Sequence, residues 1–194
     1  MAKNESALRV IIVLVLIAFF SAFLLAYVNN ITSGPIEENK KAETKRAIEI
    51  VLNTITDYTY PEEPIAAEID NSPVYYFPAQ AVDGTILGYA IIVKGPNGFT
   101  NDFDMIVGLD SSGTVIDTYV LDHKETPGLG DGMTREPFKK QFRGKNLQNS
   151  NWNVKKDGGD FDALTAATIT SRAFTAGVHR ALLLFNKLKN KANV

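Results

Sequence analysis

The sequence contains no cysteine among its 194 residues. This absence excludes disulfides, thiol catalysis, cysteine-ligated iron–sulfur clusters and zinc sites built on thiolates. Any redox chemistry must therefore come from another cofactor. Histidine is scarce too: His123 and His179 lie far apart and without a companion metal-binding pattern, so no metal site is predicted. His179 falls on a segment with helical spacing and is interpreted as facing solvent.

An excess of charge of one sign is lacking as well. The 20 basic and 22 acidic residues leave a net charge of −2, which gives no support for a nucleic-acid backbone as partner. The sequence also has no Gly-x-Gly-x-x-Gly run after a predicted strand and no P-loop. The chain is therefore not expected to bind DNA, RNA or NAD.

A long apolar run dominates the N-terminal part of the sequence. Residues 10–28 are interrupted only by Ser21, and a helix of this length spans roughly 29 Å, about the hydrocarbon thickness of a bilayer. No convincing cleavage pattern follows, which favours an uncleaved anchor over a secretory signal. Lys3 and Arg9 precede the run, whereas the first basic residues after it come at 40–41. The positive-inside rule then predicts a cytoplasmic N-terminus and an external C-terminal domain.

A second helix is predicted after the anchor. Ser33, Gly34 and Pro35 followed by two glutamates are typical of a helix start. Apolar residues then recur between Ala47 and Ile55, so we expect this segment to connect the membrane to the folded domain and to pack on it. The expected divisions are an anchor (1–30), a connecting amphipathic helix (31–60) and one domain (61–194).

The central part of the sequence predicts strands separated by turns. Turn signals with glycine or asparagine occur at 83–84, 95–98 and 111–113. The strands around them are expected to form an antiparallel meander, and they cover 74–77, 85–93, 104–109 and 114–121. A short helix over 137–142, a strand over 152–154 and a long helix after Ser171 complete an α+β domain with a single core.

Four hydroxyl side chains lie within seven residues, from Thr165 to Ser171. From Phe174 onward apolar residues recur every three or four positions, which predicts that a helix begins near this run. Helix N-termini carry unpaired N–H groups and a partial positive charge, so the run is a candidate phosphate-binding site. The alternative is that Thr168, Thr170 or Ser171 simply caps the helix, which is the commoner use of these residues.

A second run, residues 123–130, reads His-Lys-Glu-Thr-Pro-Gly-Leu-Gly. The proline restricts the backbone, while the two glycines permit close approach of a ligand. Such a loop can lie against a flat ring, with Leu129 in apolar contact and with Glu125 and Thr126 hydrogen-bonding a polar edge. An ordinary turn after a strand is the alternative.

Together the two runs resemble a family of FMN-binding subunits, that of the G subunit of the Rnf electron-transport complex and the C subunit of the sodium-pumping NADH:quinone reductase. The resemblance covers the anchor, the strand-rich middle, the loop at 123–130 and the run Asp-x-x-Thr-x-Ala-Thr at 162–168. The shortness of the chain favours the Rnf subunit. Ala166 is a departure, because the family usually has glycine there.

The resemblance implies a particular flavin site. FMN would be attached through a phosphoester to Thr168 by a dedicated flavin transferase. The other residues implied are Thr165, Ala167 and Thr170 at the phosphate end, and Glu125, Thr126, Leu129 and Phe99 beside the isoalloxazine ring.

The resemblance also implies a role and a place in the cell. The protein would relay electrons in an Rnf-type complex that couples ferredoxin oxidation and NAD reduction to ion movement. Its partners would be the other membrane and peripheral subunits. It would need no catalytic residues of its own, because a flavin itself accepts and releases electrons. It would cross the inner (plasma) membrane once, with the FMN domain outside the cytoplasm.

Two alternatives remain open from the sequence. The first is a stand-alone, membrane-anchored flavin-binding or sensory domain, which co-purification with other subunits would distinguish. The second is a non-redox interaction module, in which the threonine run is a cap and the proline–glycine loop is a turn. Colourless protein from a competent host would support the second alternative.

Overall fold

The structure is a computed structural model that describes residues 2–69 and 72–192, and the chain divides into two compact units, Met1–Glu43 and Thr44–Val194. The first unit is the N-terminal part of a single helix, α1 (Ala2–Val51). From Arg9 onward this helix contains an 18-residue window of mean hydropathy 2.9, so it has the length and composition to cross a membrane once. Its large apolar side chains between Val10 and Val28 are exposed, as a lipid-facing surface requires.

The predicted helix start at residues 33–35 is wrong, because α1 continues through Pro35. A proline inside a helix removes one backbone donor and costs about 3 kcal/mol, a local loss that does not end this 50-residue helix. Just before it, the Thr32 hydroxyl donates to the Val28 carbonyl oxygen at 2.9 Å, a bond that Ser and Thr make inside helices.

The second unit contains a five-stranded antiparallel sheet in the order β1-β2-β3-β4-β5. The predicted meander is confirmed, and the four predicted strands correspond to β2 to β5. Strand β1 was not predicted, because its sequence Ile-Ala-Ala-Glu-Ile lacks alternating bulky residues. The strand bounds are Ile65–Ile69, Ser72–Gln80, Ile86–Gly95, Phe103–Asp110 and Val115–Asp122.

Two further helices complete this unit, α2 (Glu136–Lys139) and α3 (Thr168–Ala192). The predicted short helix over 137–142 is confirmed by α2 and the 3₁₀ turn Lys140–Phe142 that follows it. The predicted strand over 152–154 is wrong: Val154 makes an isolated bridge to Phe161. The chain reverses at once through another 3₁₀ turn, Lys155–Asp157, which leaves no length for a ladder.

Each face of the sheet is covered by a helix of the same unit. Helix α3 packs on one face, where Phe174 lies among the buried rings of Phe103, Phe138 and Phe142. The last turns of α1 cover the other face, which confirms that the connecting segment packs on the domain. Its fully buried residues are Ala47, Ile48, Val51 and Leu52, and they contact Phe77, Ala79, Ala90 and Ile106 of the sheet.

The end of α1 lies in unusually close contact with β4. A Cβ atom on Gly108 would lie 1.9 Å from the carbonyl oxygen of Val51, a distance at which something must move. Glycine at this position therefore allows the helix to reach the sheet.

His179 does not face solvent, so that interpretation is wrong. It is half-buried on α3 and its ring stacks on Trp152, with centroids 6.0 Å apart and planes within 1°. Burial lowers the pKa of its imidazole below the usual 6.5. Sequence spacing missed this packing because the loop that carries Trp152 covers a flank of the helix.

Candidate functional site

A cavity of about 260 Å³ lies between three segments of the second unit: the β3–β4 connection, the loop after β5 and the start of α3. The strand register brings the first two segments together. Gly95 pairs with Phe103, and Asp104 pairs with Asp122, so these strand ends lie on the same side of the sheet. The cavity is lined by Phe99, Glu125, Thr126, Leu129, Gly130, Ala166, Ala167, Thr168, Ile169 and Thr170.

Glu125 joins the three segments to one another. It is buried, with 6% of its surface exposed. Its Oε1 accepts the backbone N–H of Phe99 at 2.9 Å, and its Oε2 accepts the hydroxyl of Thr170 at 2.7 Å. Each carboxylate oxygen already has a protein donor, so Glu125 holds the walls of the cavity together. Hydrogen bonds to a charged acceptor are stronger than neutral ones, which suits this linking role.

Two glycines pack directly against the Glu125 carboxylate. A Cβ atom on Gly130 would lie 2.3 Å from Oε2 of Glu125 and 2.9 Å from the hydroxyl oxygen of Thr170, and one on Gly98 would lie 2.8 Å from Oε1. Gly128 differs, because its φ is +79° and a Cβ there would meet open space. Glycine is thus needed at position 130 because a side chain there would clash with the Glu125 carboxylate. At position 128 it is needed because the backbone is left-handed.

The hydroxyls of Thr170 and Ser171 are engaged by the fold. Thr170 is fully buried on its bond to Glu125. Ser171 accepts the backbone N–H of Leu164 at 2.9 Å and donates to the carbonyl oxygen of Ala167 at 2.9 Å. These bonds differ from a simple N-cap, in which the hydroxyl accepts an N–H two or three residues further along. Ser171 instead fixes the turn that leads into α3.

Thr168 has a different environment. It is the first residue of α3, is half-buried and lines the cavity. Its hydroxyl oxygen accepts a hydrogen bond from the Lys156 ammonium at 2.9 Å. Thr165, by contrast, is exposed and stands outside the cavity lining. Sequence reasoning missed Lys156, because a lysine in a polar loop carries no signal of the residue that it meets.

Ala166 adopts a left-handed backbone conformation, with φ of +59°. This conformation costs a residue with a Cβ atom roughly 1–2 kcal/mol, whereas glycine adopts it freely. The usual glycine of the resembled motif is therefore explained by backbone conformation, and alanine takes up the same turn at a cost in stability.

Replacing Ala166 by glycine is expected to stabilise the protein by roughly 0.5–1 kcal/mol, since relief of the left-handed strain outweighs the extra freedom of glycine in the unfolded chain. The melting temperature should rise by roughly 1–3 °C. The matched control is Ala163→Gly in the same segment, where φ is not positive. That variant should melt at or below the wild-type temperature, and equal losses in both variants would contradict the explanation.

The shape and chemistry of the cavity match the two halves of a flavin mononucleotide. Phe99, Leu129 and Ile169 give it an apolar rim, exposed by 68, 44 and 45% respectively, on which a flat ring can lie. The first turn of α3 also lines the cavity, and the Lys156 ammonium donates to its first residue, Thr168, so an anionic phosphate would be stabilised there. Across residues 2–69 and 72–192, no group of three or more His, Asp or Glu side chains converges as a metal site.

Residues 98–183 match the family model of the FMN-binding domain, a span that contains every residue lining the cavity. The chain is 32% identical to the G subunit of the ion-translocating oxidoreductase complex of Shewanella piezotolerans, over 97% of this chain and 93% of that one. It is 35% identical to the corresponding protein of Salmonella typhimurium, over 91% and 90% of the two chains. The chain therefore belongs to the family of G subunits of ion-translocating oxidoreductase complexes, which confirms the resemblance inferred from its motifs.

A solved structure supports the fold. The crystal structure of NqrC from Shewanella oneidensis superposes with a TM-score of 0.59 and covers 79% of this chain and 99% of its own. The two sequences are 16% identical, so the likeness concerns the fold. It confirms the predicted α+β domain with an antiparallel sheet and flanking helices.

Proposed function

We propose that this chain carries FMN joined to Thr168 by a phosphoester and relays electrons as one subunit of a membrane-bound, ion-translocating ferredoxin:NAD oxidoreductase complex. The placement of the Thr168 hydroxyl carries this proposal. It lies in the cavity at the first residue of α3, next to an ammonium group. The hydroxyls of Thr170 and Ser171 are engaged in bonds that hold the fold.

Different residues around the cavity would hold the ring and the phosphate of the cofactor. Phe99, Thr126 and Leu129 would flank the ring, and Ala167 with the first turn of α3 would contact the phosphate, since all of them line the cavity. Glu125 and Thr170 keep these segments in register. When bound, a flavin supplies the chemistry by accepting and releasing one or two electrons, while the protein sets its position and its access to solvent.

Formation of the phosphoester needs an activated flavin donor, because a hydroxyl does not displace oxide from a free phosphate at a useful rate. A flavin transferase would present a flavin phosphoanhydride. Thr168 would supply Oγ1 for the new bond to phosphorus, the anhydride P–O bond would break with its electron pair on the departing phosphate, and a base would take the Thr168 proton. No electron is gained or lost by the flavin in this step.

The proposed location follows from α1 and from the positive charges around it. One helix suited to cross a membrane precedes the flavin domain. Lys3 and Arg9 lie before its apolar run, which favours a cytoplasmic N-terminus and a flavin domain on the opposite side. A covalent bond then keeps the cofactor on the protein outside the cytoplasm. The partners in the membrane are the other subunits of the complex.

The mass of the full chain, purified from cells that also produce the transferase, tests the attachment. We expect one adduct equal to FMN minus one water, and fragmentation should place it on the peptide that contains Thr168. Other subunits of the complex should co-purify in mild detergent. An unmodified mass that persists with an active transferase would contradict the covalent proposal, and a chain that purifies alone would favour a stand-alone flavin domain.

A further inference from the structure

Lys156 places a positive charge directly on the Thr168 hydroxyl. Its Nζ donates to Oγ1 of Thr168 at 2.9 Å, although the two residues are on different elements and the lysine is otherwise exposed. A hydrogen bond from an exposed lysine to a neutral hydroxyl gains little free energy. It replaces a hydrogen bond to water, and holding the long side chain in one conformation costs entropy. The contact becomes favourable when the acceptor carries negative charge.

A neighbouring ion pair fixes the turn that presents Lys156. The Arg172 guanidinium, one turn into α3, donates from Nε to Oδ2 of Asp157 at 2.6 Å and from a terminal nitrogen to Oδ1 at 2.7 Å. This forked geometry sets orientation as well as distance. Hydrogen bonds from Arg172 lower the pKa of the Asp157 carboxyl. The 3₁₀ turn Lys155–Asp157 is thereby held beside the first residue of α3.

The distribution of charge around Thr168 favours an anion there. The positive charge of Arg172 balances the negative charge of the Asp157 carboxylate. Lys156 has a weaker electrostatic interaction with the same carboxylate. Lys155 is engaged elsewhere, with its Nζ 2.8 Å from Oδ2 of Asp162. The Lys156 charge therefore adds to the positive end of the α3 dipole at the Thr168 hydroxyl.

We propose that Lys156 is the positioning residue for the flavin phosphate, orienting the Thr168 hydroxyl before attachment and neutralising the phosphoester afterwards. This inference rests on the proposed function, because it assigns a residue to the same site. It predicts that the charge at position 156, rather than positive charge in the turn generally, governs how fast flavin is attached.

Three variants of the full chain test the inference: Lys156→Gln, Lys156→Arg and the adjacent control Lys155→Gln. Each is produced in cells with a limiting amount of transferase, and covalent flavin per chain is followed over time by fluorescence of the denatured band. Lys156→Gln should load about ten-fold more slowly than wild type, which is about 1.4 kcal/mol. Lys156→Arg keeps the charge and should recover most of the rate, and Lys155→Gln should stay within about two-fold of wild type.

A second measurement separates this role from a structural one. The melting temperature of each unmodified chain, from cells without transferase, should equal that of wild type, because the side chains at 155 and 156 are exposed. Loading of Lys156→Gln at the Lys155→Gln rate would overturn the inference and leave the proposed function standing. Failure of arginine to restore loading would also overturn it. A wild-type chain without covalent flavin would overturn both proposals.

Discussion

The Thr168→Ala chain is expected to carry no covalent flavin, because alanine lacks the oxygen from which the phosphoester is built. Its fold should be unchanged, since Thr168 is half-buried and its hydroxyl bonds to an exposed lysine. Fluorescence of the denatured band, in cells that also produce the transferase, measures the loss. Denaturation removes flavin that is bound without a covalent bond, so the mutant band should be dark while the wild-type band fluoresces.

Two matched variants sharpen this result. Thr168→Ser keeps a hydroxyl at the same position and should retain covalent flavin in part. Thr165→Ala removes a hydroxyl from the same run, but that residue is exposed and outside the cavity, so flavin should remain attached. A fluorescent Thr168→Ala band would show that another residue carries the flavin. A dark Thr165→Ala band would mean that the run acts as a whole rather than through one hydroxyl.

Replacing Gly130 by alanine is expected to destabilise the protein by about 2 kcal/mol and to impair flavin attachment strongly. The new methyl group would lie 2.3 Å from the Glu125 carboxylate and 2.9 Å from the Thr170 hydroxyl. One of the two must move, which breaks the bond that joins the loop after β5 to α3. Overpacking and loss of a buried hydrogen bond each cost on the order of 1–3 kcal/mol.

Gly128→Ala is the matched control for this prediction. Its φ of +79° makes alanine strained, but a Cβ atom there meets nothing within 4 Å. It should lose about 1 kcal/mol and still accept flavin at a rate close to that of wild type. The melting temperature and the rate of flavin attachment are measured for both variants, starting from chains without flavin. The comparison distinguishes backbone strain at position 128 from the steric clash at position 130. If both variants load flavin equally well, the Glu125–Thr170 bond is not needed to shape the site.

The sequence correctly predicts the features that depend on residues close together in the chain. Turn residues and the strand segments between them predicted β2 to β5, and helical spacing with the hydroxyl run predicted that α3 begins near that run. Strand β1 was missed because its alanines carry no such pattern. The two motifs pointed to two of the segments around the cavity, and Phe99 in the third was assigned through the family resemblance. Local sequence signals are enough to predict an element when the residues that form it are neighbours in the chain.

The features that sequence reasoning missed depend on contacts between distant segments. The bond between Glu125 and Thr170 links residues 45 positions apart, and nothing in either motif indicates it. Lys156 meets Thr168 from a turn that the ion pair between Arg172 and Asp157 joins to α3. The stacking of His179 on Trp152 is of the same kind. Such pairs are set by tertiary packing, which periodicity does not encode.

The burial of the last turns of α1 decides where the flavin domain can be separated from its anchor. Ala47, Ile48 and Val51 are fully buried against the sheet, so they belong to the flavin domain although they lie on the anchor helix. A soluble fragment for crystallisation or potentiometry must begin near residue 44, where the second unit starts. A fragment that begins at residue 61 would leave one whole face of the sheet bare, and such an apolar surface promotes aggregation.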